Sequence, residues 1–253
     1  MTRRLAELKL PEIDRITEAS IIIQPVGAIE QHGPHLPYNT DLVIPTRVAE
    51  ELVERLGDEL DLWLLPPLAY TKSNEHAWAP GTVWLSAHTL LAVLDDLGRS
   101  LAALPAEKLV FLNGHGGNSS LLNVACRDIR LTHGLQTFLM HPMFPPDQGG
   151  ESAVTELGMG VHGGHDETSL MMHLAPELVA SVLPPAVVPE RLAGNRYVRF
   201  GGPVSFGWRS DDFTDQGHIG DPSDASTEAG AVLFEAILGH LSTALEEITR
   251  FVS

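Results

Sequence analysis

Four short apolar runs constrain this chain more than any other feature. "SIIIQPV" (Ser20 to Val26), "LDLWLLPP", "KLVFLNG" and "LQTFLMH" each end at a proline, a glycine or a polar turn. Runs of this length and character read as buried strands. Between them lie segments with apolar residues at helical spacing. "LVIPTRVAEELVERLG" has Pro45 near its start and Gly57 as a stop. "SAHTLLAVLDDLGRSLAAL" opens on Ser86 as an N-cap, and "NSSLLNVACRDIRLTHG" opens on Asn118 or Ser119. Strands alternating with helices predict a parallel sheet covered on both faces, an α/β architecture. Downstream, Pro142 to Gly164 reads as a long functional loop and "DETSLMMHLAPELV" as a short helix. Leu183 to Ser223 is irregular, and "DASTEAGAVLFEAILGHLSTALEEITRF" closes the chain as an amphipathic helix.

The chain has 253 residues, 43% of them hydrophobic, which suits one large domain over 1–253. Its net charge of −17 makes nucleic acid and anionic membranes poor partners. The apolar runs are too short to cross a bilayer. The N-terminal "MTRRLAELKLPEID" lacks the apolar core of a secretion signal, and the lone Cys126 suits a reducing compartment, so a cytoplasmic location is expected.

Three polar clusters carry the chemistry. The first, "VGAIEQHGPHLPYNTD", follows the first predicted strand and holds Glu30, His32, His35 and Asp41. The second, "FLNGHGGNSS", holds Asn113, His115 and Asn118 among three glycines. The third, "GVHGGHDETS", holds His162, His165, Asp166 and Glu167. Singly, each has a plain structural reading as a loop polar pair, a phosphate-cradling turn or a helix cap. In an open α/β sheet, however, ligands bind beyond the carboxyl ends of the strands. Imidazoles and carboxylates gathered there without thiolates form a donor set suited to Zn, Mn, Fe or Co.

These blocks, with the late "GHIGDPSDAS", resemble the creatininase family of metal hydrolases from about Ile21 to Gly230. The resemblance implies a three-layer α/β/α domain, two divalent ions per subunit (Zn, Mn or Fe) and a homohexamer. By motif position it implies Glu30, His32, Asp41, His115 and Glu167 as ligands, with Asp41 between the ions. Glu167 also counts among the catalytic groups. His162 matches a histidine that acts as acid/base or orients substrate. Such a centre activates water and polarises a carbonyl.

The chain also departs from the family pattern. Gly116 and Gly117 stand where true creatininase has Tyr and Glu, and Val161 stands where it has Glu before the third-block His. Creatinine itself is therefore a doubtful substrate. His165, where many members have Glu, either contacts substrate or supports the site. In "TKSNEHAWAPGTVWL", His76 and Trp78 are candidate substrate contacts, with Gly116, Gly117 and Trp208. Arg209 binds a substrate anion or pairs with Asp211 or Asp212. Asn113, Asn118, Gln31 and Thr40 are candidates to orient the ligand imidazoles, or simply satisfy their own turns. The expectation is an amidohydrolase acting on a C–N bond of a small molecule: an amide, a cyclic amide or a formamide. A metallopeptidase trimming a short peptide and a non-catalytic metal-dependent assembly protein are the rivals.

Overall fold

The structure is a computed structural model that describes residues 2–142 and 154–252. Most of the expected Pro142–Gly164 loop therefore lies outside the described residues. Strands β1 (Ile21–Val26), β2 (Leu62–Leu64), β3 (Lys108–Asn113) and β4 (Gln136–Met140) form a parallel sheet in the order β2-β1-β3-β4. Helices α1 (Thr40–Leu56), α2 (Ala87–Leu101), α3 (Ser119–His133), α4 (His165–Leu174), α5 (Glu190–Ala193) and α6 (Thr227–Arg250) surround it.

The three layers follow from the two-residue period of the strands, which sends successive side chains to opposite faces. Ile21 and Ile23 of β1, Leu62 and Leu64 of β2, and Val110 and Leu112 of β3 join one core with α1, α4 and α6. Ile22, Val26, Trp63, Leu109 and Phe111 point the other way, into a core with α2 and α3. Buried on both faces, β1, β2 and β3 are largely apolar, with Gln24 a buried polar exception in β1, which is why they read as nearly unbroken runs.

Two element starts differ from expectation. Helix α1 begins at Thr40, so Asp41 lies in its first turn and Pro45 lies inside the helix rather than near its start. Pro45 has no N–H to donate to the Asp41 carbonyl. That carbonyl instead packs against Gly114, where a Cβ would come within 2.6 Å of it and 2.5 Å of Pro45 Cγ. Only a glycine after β3 lets the start of α1 sit this close to the strand ends. Asn118 does precede α3, but its side chain makes no cap bond. It reaches Gly27 O and Thr71 Oγ1, each at 3.1 Å, and ties the turns after β1 and β3 together. Ser86 caps α2 as expected, accepting from Thr89 N.

The late "GHIGDPSDAS" segment pairs with the third cluster. His162 N donates to Ile219 O at 3.1 Å and Ile219 N returns a bond to His162 O at 2.7 Å. A segment far along the chain thus fixes the backbone that carries His162.

Candidate metal centre

Glu30 and His32 follow β1, His115 follows β3, Asp41 opens α1, and Glu167 lies in the first turn of α4. These turns converge beyond the carboxyl ends of the parallel strands, where open α/β sheets place their sites. Asp41 sits at the middle. Its Oδ1 is 3.0 Å from His32 Nε2, and its Oδ2 is 2.8 Å from His115 Nδ1. Glu30 Oε2 is 3.3 Å from His115 Nδ1, while Glu30 Oε1 faces His76 Nε2 at 3.4 Å and His162 Nδ1 at 3.6 Å.

Backbone carbonyls set the direction of each imidazole. A carbonyl can only accept, so the ring nitrogen facing it must carry the proton. His32 Nδ1 donates to Glu30 O at 3.1 Å, His115 Nε2 to Lys72 O at 2.9 Å, and His162 Nε2 to Gln31 O at 2.6 Å. This leaves His32 Nε2, His115 Nδ1 and His162 Nδ1 turned towards the carboxylates with lone pairs available in the neutral ring. Such second contacts are what fix a ligand histidine's tautomer.

Glu30 is the telling residue. It is completely buried, and neither carboxylate oxygen accepts a hydrogen bond. An unpartnered buried carboxylate is costly, so such groups pair with a cation or hold a proton. Burial pushes Glu30 up to about 8 and Glu167 up to about 7. Burial pulls His32 down, but Asp41 beside it prevails and raises it to about 10. Burial works against ionised Asp41 too, and there His32 and His115 win and hold it well below the usual carboxylate range. Without an ion the cluster is therefore loaded with protons that a cation would displace.

The donor atoms fall into groups that could each hold an ion. Glu30, Asp41 and His115 form one and His32, Asp41 and Glu167 another, with the atoms of each within 4.8 Å of one another. Asp41 belongs to both. A third group, of Glu30, His32 and His162, overlaps them. Burial keeps His162 well below its ordinary range and therefore neutral. Its ring lies between those of His76 and His32, with centroids 4.1 and 4.2 Å away.

A cavity of about 580 Å³ opens onto this cluster. His76, Gly116, Gly117 and Trp208 line it, and Phe200 and Phe206 add an apolar wall. Trp78 and His165 are not among its lining residues. Trp78 turns its Nε1 to Ser210 Oγ at 2.6 Å, because the buried loop hydroxyl offers its N–H a partner. His165 Nδ1 lies 2.9 Å from Asp166 Oδ1. His35, whose sequence position resembles that of His32, is held away by Gly163 O and Thr168 Oγ1. Arg209 pairs with Asp211 at 2.5 Å.

Of the side chains expected to orient the imidazoles or satisfy their own turns, Thr40 Oγ1 donates to Pro37 O, and Asn113 Nδ2 to His115 O. Gln31 does reach imidazoles: its Nε2 lies 2.9 Å from His76 Nδ1 and 3.1 Å from His162 Nε2, and it also donates to Gly217 O, while its Oε1 accepts from Gly33 N. Glu75, in the same rim loop as His76 and Trp78, also lines the cavity and stands 3.4 Å from His115 Nε2. Its only sequence signal was its place beside His76 in a loop after β2.

The family model for creatinine amidohydrolase matches residues 6–245. The mycofactocin precursor peptide peptidase of Mycobacterium ulcerans (strain Agy99) is 42% identical over 168 residues, 64% of this chain and 61% of that protein. The creatinine amidohydrolase of Pseudomonas putida is 36% identical over 176 residues, 63% of this chain and 66% of that protein. The chain thus spans less than two thirds of either relative's length. A manganese creatininase structure superposes with a TM-score of 0.74 at 28% identity, covering 98% of this chain and 99% of that one. With this fold, these converging turns and a family match over nearly its whole length, the chain belongs to the creatininase family of hydrolases.

Proposed function

We propose that this chain is a two-metal amidohydrolase, and that its substrate is the amide bond of a short peptide or a peptide-like molecule. The single observation that carries the metal reading is Glu30, a buried carboxylate with two unpartnered oxygens amid imidazoles. Glu30, Asp41 and His115 would hold one divalent ion, and His32, Asp41 and Glu167 would hold the other. Zn, Mn and Fe all suit such nitrogen and oxygen donors. When bound, the ions lower the pKa of water and polarise a carbonyl.

The chain's own residues supply the rest. Glu167 Oε2 accepts from Gly163 N at 2.5 Å, which fixes the carboxylate against the loop that carries His162. His162, anchored through Nε2, offers Nδ1 to the centre. It takes the proton as water attacks the amide carbon and delivers it to the departing nitrogen, a task suited to imidazole. Trp208, Phe200 and Phe206 exclude water and receive an apolar part of the substrate.

Two features favour a peptide over a small ring. A Cβ at Gly116 would meet nothing within 4 Å, so the cavity is open where creatininase carries a tyrosine. The relative with 42% identity acts on a precursor peptide. Cyclic amides and formamides form the second reading. The single-domain, homohexameric and cytoplasmic expectations belong to this proposal as well. Among the described residues, no helix is long and apolar enough to cross a membrane.

The test is a panel of creatinine, other lactams, formamides and short peptides, assayed with metal-reloaded protein. Turnover confined to peptides is expected, and turnover confined to lactams or formamides would replace that substrate class. His162→Gln should keep the bound metal and lose about 10²–10⁴ in turnover, the usual worth of a positioned acid/base. Loss of the metal in that variant would make His162 a ligand instead.

A further inference from the structure

We propose that Glu75 is a positioning residue of the centre, reaching from the loop after β2 to stand behind the imidazole of His115. This rests on the metal reading above and extends it to a residue outside the ligand groups.

Glu75 is buried, and its two oxygens face different partners. Oε2 takes an ion pair from Lys72 Nζ at 2.6 Å, and Oε1 lies 3.4 Å from His115 Nε2. His115 Nδ1 faces Asp41 and Glu30, so Glu75 stands behind the imidazole, on the side away from the ligand groups. Lys72 O accepts the Nε2 proton at 2.9 Å, and the Glu75 carboxylate adds a negative charge beside it. Carboxylate, imidazole and cation in line is the arrangement that orients a ligand histidine and raises its basicity.

An ordinary surface ion pair between residues three apart would also join Lys72 and Glu75. The side chains are only 26% and 10% exposed, however, and an exposed pair has no reason to turn one oxygen onto a buried imidazole.

Gly117 provides the independent observation. A Cβ built there would lie 2.0 Å from Glu75 Oε1 and 2.4 Å from His115 Nε2. A side chain at position 117 and the Glu75 carboxylate therefore compete for one space. The loop after β2 fills that space, and glycine at 117 is the condition for doing so. The backbone that delivers Glu75 is itself tied down, because Ser210 Oγ donates to Glu75 O at 3.3 Å and Trp78 donates to Ser210 Oγ. Trp78 thus acts on the site through a loop rather than on the substrate.

The experiment measures Zn²⁺ and Mn²⁺ dissociation constants by competition with a chelator of known affinity, with melting in EDTA as a folding control. The proteins are the parent, Glu75→Ala, Glu75→Gln and Gly117→Ala. Glu75→Ala should weaken binding by about 10–100-fold, the usual cost of losing a carboxylate behind a ligand histidine. Glu75→Gln should weaken it less, since it keeps the acceptor and loses the charge. Gly117→Ala should also weaken binding, because its Cβ would meet both Glu75 Oε1 and the His115 ring. A merely structural Glu75 would lower the melting temperature in EDTA and leave the dissociation constants alone. Unchanged affinity in Glu75→Ala overturns the proposal. If Glu75→Ala does not fold, unchanged affinity in Glu75→Gln overturns it. A parent protein that binds neither ion defeats the metal reading itself. A parent that binds while both Glu75 variants match it defeats only the role of Glu75.

Discussion

The two ends of the parallel sheet both gather charge, and they handle it in opposite ways. At the amino ends of the strands, Asp61 receives Arg3 at 2.5 Å, Trp63 Nε1 at 3.0 Å, and the Ser20 hydroxyl. Arg3 and Arg15 both lie over the Trp63 ring, within 4.9 Å of its centroid. Every charge there has a partner from the chain itself. At the carboxyl ends, Glu30 and Asp41 face histidines, Glu167 accepts from Gly163 N, and neither oxygen of Glu30 accepts a hydrogen bond. The first arrangement is a closed structural clamp. The second is incomplete as protein alone, since burying carboxylates without cations is unfavourable unless something arrives to neutralise them. The difference separates a charge cluster that holds the fold together from one that binds.

That contrast breaks most visibly at Glu30. Glu30→Gln should leave the melting of chelator-treated protein near pH 7 almost unchanged, because burial already keeps the carboxyl protonated there. The same substitution should remove the stabilisation conferred by added Zn²⁺ or Mn²⁺, about 3–4 kcal/mol at a few hundred times the dissociation constant. It should also cut turnover by roughly 10³-fold or more, on the scale of several kcal/mol of lost charge stabilisation. Equal melting shifts with metal in parent and variant would show that Glu30 holds no ion.

Asp61→Ala should behave in the reverse manner. It strips partners from Arg3, Ser20 and Trp63 and should cost about 1–3 kcal/mol, with or without metal. Denaturant unfolding with metal and with EDTA checks this. A metal-dependent difference between the two would mean that the two ends of the sheet are coupled.

The smallest expected effect concerns His35, which borders the centre without joining it. Burial lowers His35 to about 4, against an ordinary value near 6.5. The folded state thus binds fewer protons than the unfolded state between those values. The contribution of His35 to stability is present above about 6.5 and is lost as the pH falls towards 4. Urea unfolding across this window should show a shallower pH slope for His35→Gln than for the parent, by up to one proton. An unchanged slope would mean that His35 does not titrate on unfolding.

Much of this was legible in the sequence. The strand runs, the helical spacing and the strand–helix alternation gave the layered α/β fold, because burial on both faces leaves a nearly uninterrupted apolar signature. The clustering of Glu30, His32, Asp41, His115 and Glu167 was legible from the family resemblance of their motifs, and the structure brings these side chains together. The failures were directional. Trp78 stands at the rim in the chain, yet Ser210 draws its ring nitrogen elsewhere, and of the two readings open for His165 its contact with Asp166 favours support over substrate. Of the two candidate caps of α3, Asn118 instead sends its amide to Gly27 and Thr71 across two loops.

The sequence by itself determined the donor chemistry: imidazoles and carboxylates on glycine turns, without thiolates, at the carboxyl ends of parallel strands. Only the tertiary structure decided which atom of each donor faces inward. Carbonyls of Glu30, Gln31 and Lys72 fix the three rings, and Lys72 comes from a loop 43 residues away from His115. The same loop carries Glu75 into the space left by Gly117. Motif spacing records which side chains a turn carries, whereas their direction depends on hydrogen bonds to backbone that arrives from elsewhere in the chain.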